Sequence, residues 1–429
     1  MDEQKRTYFC IDMKSFYASV ECAERGLNPF ETSLAVADMT RGSNALCLAI
    51  SPKMKALGVK NRCRLSEIPA GIKYEVVPPR MALYIDYAAD IYSVYLDYFS
   101  PSDIHVYSID ESFLDVTAYL DLYRKTPVEM AKLLMNEIAS RCGIPSTAGI
   151  GTNLYLAKVA LDITAKHSRD HIGCLDESKY RLELWDHRPI TDFWMVAGGT
   201  ARRLERYGVY DMRGVTELPT ELVYKVFGKN AELLIDHAWG REPCLISDIK
   251  SYKSRSHSVS FSQILPRDYT CKEARVVMQE MAVNGAEELM RRKVITNKLT
   301  VFIGYSRDLI PPGNGSLRLL SATSLASFLR TAALEIYDRI VSKDAAVRRL
   351  GISFDDVVDE GCEGYDLFTD PHSAEKERAV QRAKIFVHEK YGKNSVLTGT
   401  NYLPGGTQRE RNGFIGGHRA GYDDETGKS

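Results

Sequence analysis

An α+β protein of several domains is what this chain predicts, on three observations. Over roughly the first 170 residues, short branched and aromatic runs alternate with helical periodicity, so strands and helices are interleaved. From about 186 to 239 the pattern changes to short helices punctuated by glycine. Past a polar linker the order becomes strand, helix, strand, strand, helix, strand, a βαββαβ split sandwich. With 429 residues, 44% of them hydrophobic, the chain exceeds one core and has room for roughly two to four domains.

Taken in order, residues 7–13 (TYFCIDM) read as a short buried strand, and a loop-rich region runs from there to about residue 80. Helical periodicity covers 81–99, with Leu83, Tyr87, Ile91, Val94 and Tyr98 on one stripe. Two strands flank the acids in 107–113 (YSIDESF). A helix over 127–142, a strand over 146–151 (STAGIG) and a helix from about 153 to 166 complete the first part. The linker at 250–263 (KSYKSRSHSVSFSQ) runs into an alternating strand. Helix 270–293, strands 299–306 and 316–323, helix 324–341 and strand 347–357 follow. The tail after residue 359 holds one amphipathic helix, 375–392, and ends in a Gly- and charge-rich segment whose composition predicts disorder.

Formal net charge is only −1, but it is unevenly spread. Residues 250–355 carry 17 Lys+Arg against 10 Asp+Glu, so this stretch holds +7 and the remainder −8. A basic module on a near-neutral chain suits a polyanion, and equally a solvated surface. The nine cysteines form no CxxC pair and no zinc spacing, which predicts reduced thiols in a cytoplasmic protein. The first residues contain no long apolar run, and no stretch reaches membrane-spanning length.

The acids of YSIDESF pose a problem of cost. Acids are depleted in strands, and neighbouring side chains on a strand point to opposite faces. Asp110 and Glu111 can converge only if the chain turns, so a tight hairpin at 108–112 is expected. Asp12 also interrupts an apolar run, where an unpaired charge is costly. Three such carboxylates make sense as hard oxygen ligands of Mg²⁺ or Mn²⁺. Two ions about 3.5–4 Å apart can activate an attacking oxygen and stabilise a leaving pyrophosphate. A pair of turn acids with a capping aspartate is the plainer alternative.

Residues 9–21 (FCIDMKSFYASVE) and 107–116 (YSIDESFLDV) resemble the two signature motifs of the Y-family DNA polymerases of the UmuC/DinB type, and the tail is similar to the UmuC-like branch. The resemblance covers nearly the whole chain. It implies a right-hand-like polymerase with a palm (1–15 and 82–172), small fingers (16–81), a helical thumb with a helix-hairpin-helix (173–245), a βαββαβ little finger (250–358) and a tail (359–429). The implied function is low-fidelity, template-directed translesion DNA synthesis by a two-metal mechanism. A palm-type nucleotide cyclase and a non-catalytic DNA-binding accessory protein are the rival readings.

Carried over by motif, Asp12, Asp110, Glu111 and the Met13 carbonyl take the metal-ligand places, for two Mg²⁺ ions replaceable by Mn²⁺. Phe16 and Tyr17 form the aromatic pair, with Tyr17 at the steric gate against a 2′-hydroxyl. Lys55, in 49–60 (AISPKMKALGVK), and Lys166, in 148–167, take the triphosphate-contacting places, with Lys158 competing for the second. Pro52 stands where DinB-type members have Tyr, and Ser51 is the candidate for the contact so lost. Gly198, Gly199 and Thr200 lie in the expected thumb hairpin, with Ala197 at its usual first glycine, and Arg255 lies on the little-finger strand toward DNA. Ala35, Ala37 and Ala49 are expected to face the nucleotide and leave the site loose. Residues 363–368 (EGYDLF) resemble a sliding-clamp peptide anchored by Tyr365, Leu367 and Phe368, against the alternative of a linker docked on its own domain. The implied partners are primer–template DNA, dNTPs, a sliding clamp and a UmuD-like or RecA-like protein, for a nucleoid-associated monomer.

Overall fold

The computed structural model describes residues 6–253, 258–306, 310–362 and 370–421. They divide into two units, Met1–Lys253 with Ala420–Ser429, and Ser254–Arg419.

In the first unit, β1 (Tyr8–Met13) leads through Lys14 and Ser15 into α1 (Phe16–Glu24). A small sheet follows: β2 (Leu34–Val36), β3 (Ala49–Ile50), then α2 (Pro52–Ala56) and β4 (Glu75–Val77), in the order β3-β2-β4. It has its own core, in which Ala35, Ala37, Cys47, Ile50, Met54 and Cys63 are buried. The expectation that Ala35, Ala37 and Ala49 face the nucleotide is therefore corrected: all three are buried, 0%, 1% and 6% exposed. Small size permits close packing inside as readily as an open surface outside.

Next come α3 (Met81–Leu96), β5 (Ile104–Val106), β6 (Glu111–Asp115), α4 (Tyr119–Tyr123), α5 (Pro127–Cys142), β7 (Ser146–Gly151), α6 (Leu154–Val159) and β8 (Ile172–Leu175). The main sheet runs β5-β6-β1-β7-β8, which puts β1 at its centre. α3 buries Tyr84 and Tyr95 together with Ile91 and Val94, so the expected stripe is right in its middle and wrong at Leu83, Tyr87 and Tyr98. α5 has textual start and stop signals: Thr126 and Glu129 cap each other, Pro127 opens the first turn, and Gly143 closes the helix at φ 69°. β7 lies directly on the next helix. A Cβ at Gly149 would come within 2.0 Å of the Ala157 carbonyl, and one at Gly151 within 2.2 Å of the Ala157 nitrogen. Six further helices complete this unit: α7 (Glu177–Glu183), α8 (Gly198–Glu205), α9 (Met212–Glu217), α10 (Thr220–Phe227), α11 (Asn230–Ala238) and α12 (Ile246–Ser251).

The second unit holds β9 (Val259–Tyr269), α13 (Cys271–Arg291), β10 (Val294–Tyr305), β11 (Gly313–Thr323), α14 (Ala326–Ile340), β12 (Val347–Asp355) and the short β13 (Val358–Asp359). The sheet order is β11-β10-β12-β9, all neighbours antiparallel. Leu299, Val301 and Ile303 point to the core shared with α13 and α14. Alternation then sends Lys298, Thr300, Phe302 and, on the paired strands, Arg318, Arg349, Ser260 and Ser262 to the open face.

After β13 come α15 (Pro371–Tyr391), α16 (Gln408–Arg411), and a hairpin of β14 (Phe414–Ile415) and β15 (His418–Arg419). The expectation of one helix followed by a disordered end is thus overturned as far as Gly421. Buried acids on α13 are the physical reason. Glu280, 3% exposed, accepts from Asn401 Nδ2 at 2.8 Å and from the Thr407 and Gln408 backbone at 2.8 and 3.2 Å. Glu287 pairs with Lys384 at 2.6 Å and His388 at 3.6 Å. Glu377 caps α14 by accepting from the Ser327 nitrogen (2.8 Å) and hydroxyl (2.6 Å).

Candidate active site

Cross-strand register brings the acids together. β1 and β6 are antiparallel with Asp12 opposite Glu111, and the Met13 N–H donates to the Asp110 carbonyl at 2.9 Å. The Tyr107 and Ser108 N–H groups both donate to the Glu111 carbonyl at 3.0 Å, which closes the turn and leaves Asp110 in it. The expected hairpin is present, with Asp110 at its tip and Glu111 opening β6.

The three carboxyl groups are held differently. Burial, then the charges of Asp110 and Glu111, push Asp12 up to about 7. Asp110 Oδ1 accepts from the Ser108 hydroxyl at 2.7 Å. Glu111 is 8% exposed, and its Oε1 accepts from the Cys10 thiol at 3.0 Å and pairs with Lys158 Nζ at 2.8 Å. Lys158 also reaches Asp162 at 3.1 Å. Burial alone would lower the Lys158 pKa, but Cys10, Asp162 and Glu111 outweigh it and hold the amine charged. With Glu111 turned to Lys158, no three His, Cys, Asp or Glu side chains close around one point among the described residues. The donor set still fits a hard dication: all its donors are oxygen, and the like charge that raises Asp12 is what such an ion offsets.

Opposite the acids lies a group of amines. Burial lowers the Lys55 pKa, Asp12 raises it and Lys166 lowers it again, so all three share one field. Lys14 behaves alike: burial lowers it, Asp12 raises it and Lys55 lowers it. The two candidates of the 148–167 segment therefore separate, Lys166 toward Lys55 and Lys158 toward Glu111. Between them the helix widens into a π turn at Ala160–Thr164. Sequence reasoning missed Lys14 and Cys10; their places, two residues after and two before Asp12, were the available signal.

Ser51 is corrected. It is fully buried, and its hydroxyl accepts from the Leu34 nitrogen at 3.2 Å and the Met54 nitrogen at 3.4 Å, capping α2. No face of it is left for a phosphate. Phe16 is buried beside Tyr17, their centroids 5.6 Å apart, and the Tyr17 ring packs against Tyr84 at 4.8 Å, tilted by 39°. Tyr84 in turn donates to the buried Glu21 at 2.7 Å.

Gly198, Gly199 and Thr200 form the first turn of α8 behind Ala197, and the left-handed residue nearby is Met195 at φ 67°. The Thr200 N–H donates to the Ala197 carbonyl at 2.9 Å, so it is the N–H groups of Gly198 and Gly199, both exposed, that point from the helix start. Arg255, Tyr365, Leu367 and Phe368 lie outside the described residues. No described helix is long and apolar enough to cross a membrane.

Residues 11–162 match the impB/mucB/samB family, and residues 256–367 match the C-terminal domain of the same family. A relative named UvrX from Bacillus subtilis (strain 168) is 32% identical over 97% of this chain and 98% of its own length. DNA polymerase IV 2 of the same organism is 29% identical over 97% of this chain and 99% of its own. Among solved structures, a Y-family DNA polymerase chimera of Dbh and Dpo4 aligns with a TM-score of 0.63 at 20% identity, over 82% of this chain and 99% of that one.

Proposed function

The chain belongs to the impB/mucB/samB family, the Y-family DNA polymerases of the UmuC/DinB type, and from that premise we propose how its own residues carry out translesion DNA synthesis. It is a DNA-directed DNA polymerase, which extends a primer on a template with dNTPs. The observation that carries the assignment of its site is the pairing of Asp12 with Glu111 across β1 and β6, with Asp110 at the turn.

Enzymes of this family use divalent ions. Two Mg²⁺, replaceable by Mn²⁺, would be held by Asp12, Asp110, Glu111 and the Met13 carbonyl. When bound, they lower the pKa of the primer 3′-hydroxyl and offset charge on the triphosphate. Lys55 and Lys166, joined by Lys14, neutralise the β- and γ-phosphates and orient the α-phosphate for in-line attack. Cys10 and Lys158 hold the Glu111 carboxylate in place. The Tyr17 ring, backed by Tyr84, lies against the sugar and rejects ribonucleotides. The N–H groups of Gly198 and Gly199, with Thr200 beside them, take a DNA phosphate, which tracks any template because phosphate contacts carry no sequence.

The small sheet of β2, β3 and β4 is the part that closes over the nascent base pair. It is three short strands, so it presses weakly on the pair and admits damaged bases. A peptide at 363–368, anchored by Tyr365, Leu367 and Phe368, binds a sliding clamp, which offsets weak DNA holding through effective concentration. Primer extension on undamaged and lesion templates, with and without a loaded clamp, tests this reading. Template-dependent addition that survives Asp110→Ala unchanged would sink the site assignment.

A further inference from the structure

Beside the small sheet, two cysteines face each other. Leu46 and Arg64 form an antiparallel bridge, the Cys47 N–H donates to the Cys63 carbonyl at 2.8 Å, and the Leu65 N–H donates to the Ala45 carbonyl at 3.0 Å. This register sets Cys47 directly opposite Cys63 at a hydrogen-bonded pair. There Cα atoms lie about 5.5 Å apart with side chains on one face, and a disulfide spans roughly 4.4–6.8 Å between Cα atoms. Both side chains lie in the same buried cluster. Cys47 is 0% exposed and Cys63 6%, so Cys63 is the one a small oxidant meets first.

We propose that Cys47 and Cys63 form a reversible disulfide when the protein meets a small peroxide. The Cys63 sulfur attacks one peroxide oxygen, the O–O bond breaks, and one water leaves as a sulfenic acid forms. The Cys47 sulfur then attacks the Cys63 sulfur and expels the hydroxyl as a second water. The two thiols give up two protons and two electrons in all, and the peroxide is reduced to two waters. Burial, with Cys63 as neighbour, pushes Cys47 up to about 12, so closure is slow at neutral pH and quickens as pH rises. Because the backbone spacing already fits, the bond staples residues 48–62, the segment that carries Lys55, without displacing it.

The test treats the full chain with hydrogen peroxide, caps free thiols with iodoacetamide, digests without reductant and maps peptides by mass. Exposed Met39 and Met195, each 58% accessible, report the dose as sulfoxides. The expected result is a Cys47–Cys63 linked peptide that dithiothreitol releases and that Cys47→Ser and Cys63→Ser each abolish. Proteolysis within 48–62 should slow by about tenfold in the oxidised chain, while primer extension by both variants equals that of the parent. Both cysteines recovered capped while Met39 and Met195 are oxidised would overturn the proposal, as would Cys63 recovered as a sulfinic acid or linked elsewhere.

Discussion

Glu21 has no exposed side-chain surface, yet it accepts from Arg80 at 3.0 and 2.8 Å, from Tyr84 at 2.7 Å and from Arg25. Burial pushes its pKa up, but the hydrogen bonds from Arg80, Tyr84 and Arg25 outweigh that and hold it low. A folded-state pKa below the unfolded one gives stability that is full above the ordinary carboxylate range and lost as pH falls through the folded value. Glu21→Gln should therefore cost about 3 kcal/mol at neutral pH, read by urea unfolding, with the gap to the parent shrinking in acid. A gap independent of pH would mean that Glu21 acts through shape alone. At the acids, Asp110→Ala and Glu111→Ala should each lower single-turnover nucleotide addition by at least roughly a thousandfold, with duplex affinity retained. Tyr17→Ala should let ribonucleotides in, seen as a fall in the ratio of dNTP to rNTP efficiency; an unchanged ratio would make Tyr17 a packing residue.

Elements differ in how openly the sequence declares them. β1, α5 and β7 match their expected spans because each carries local signals: an apolar run, a capping box with proline, a glycine strand that a helix can approach. The acids were legible because a charge in an apolar run needs a reason. The roles of Cys10 and Lys158 were not, since they come from cross-strand register and from the π turn rather than from spacing. Ser51 misled because a cap and a ligand use the same hydroxyl. The tail misled for a different reason: its partners are carboxylates on α13, and composition does not reveal a partner elsewhere in the chain. Glu280→Ala should loosen 399–412 selectively, seen as hydrogen exchange in that stretch at least about tenfold faster. Exchange rising equally across α13 would point instead to global destabilisation.

Charge is arranged at the scale of the whole molecule. Of the excess of +7 over 250–355, residues 254–355, in the second unit, hold +5 (15 Lys+Arg against 10 Asp+Glu), and the open face of its sheet combines Lys298, Arg318 and Arg349 with hydroxyls at Ser260, Ser262 and Thr300, with Asp355 opposite Lys298. Such a face suits a phosphate backbone and reads no bases. Lys298→Ala should weaken duplex binding similarly on any sequence and reduce the slope of log affinity against log salt by about 0.9. A sequence-dependent loss would move the base contacts to this strand.

The acids that anchor the tail also bear on inheritance. A nonsense or frameshift mutation in the codons just after residue 370 would spare every residue proposed for chemistry and still be far from silent. It would remove Lys384, His388, Asn401 and Thr407 together, and leave Glu280 and Glu287 as bare anions on a helix otherwise packed with Ala, Val and Met. Such a product should be recognised by quality-control proteases before it meets DNA. Late truncations in this gene would then behave as loss-of-function alleles, and second-site suppressors should appear as Glu280 and Glu287 exchanged for neutral residues.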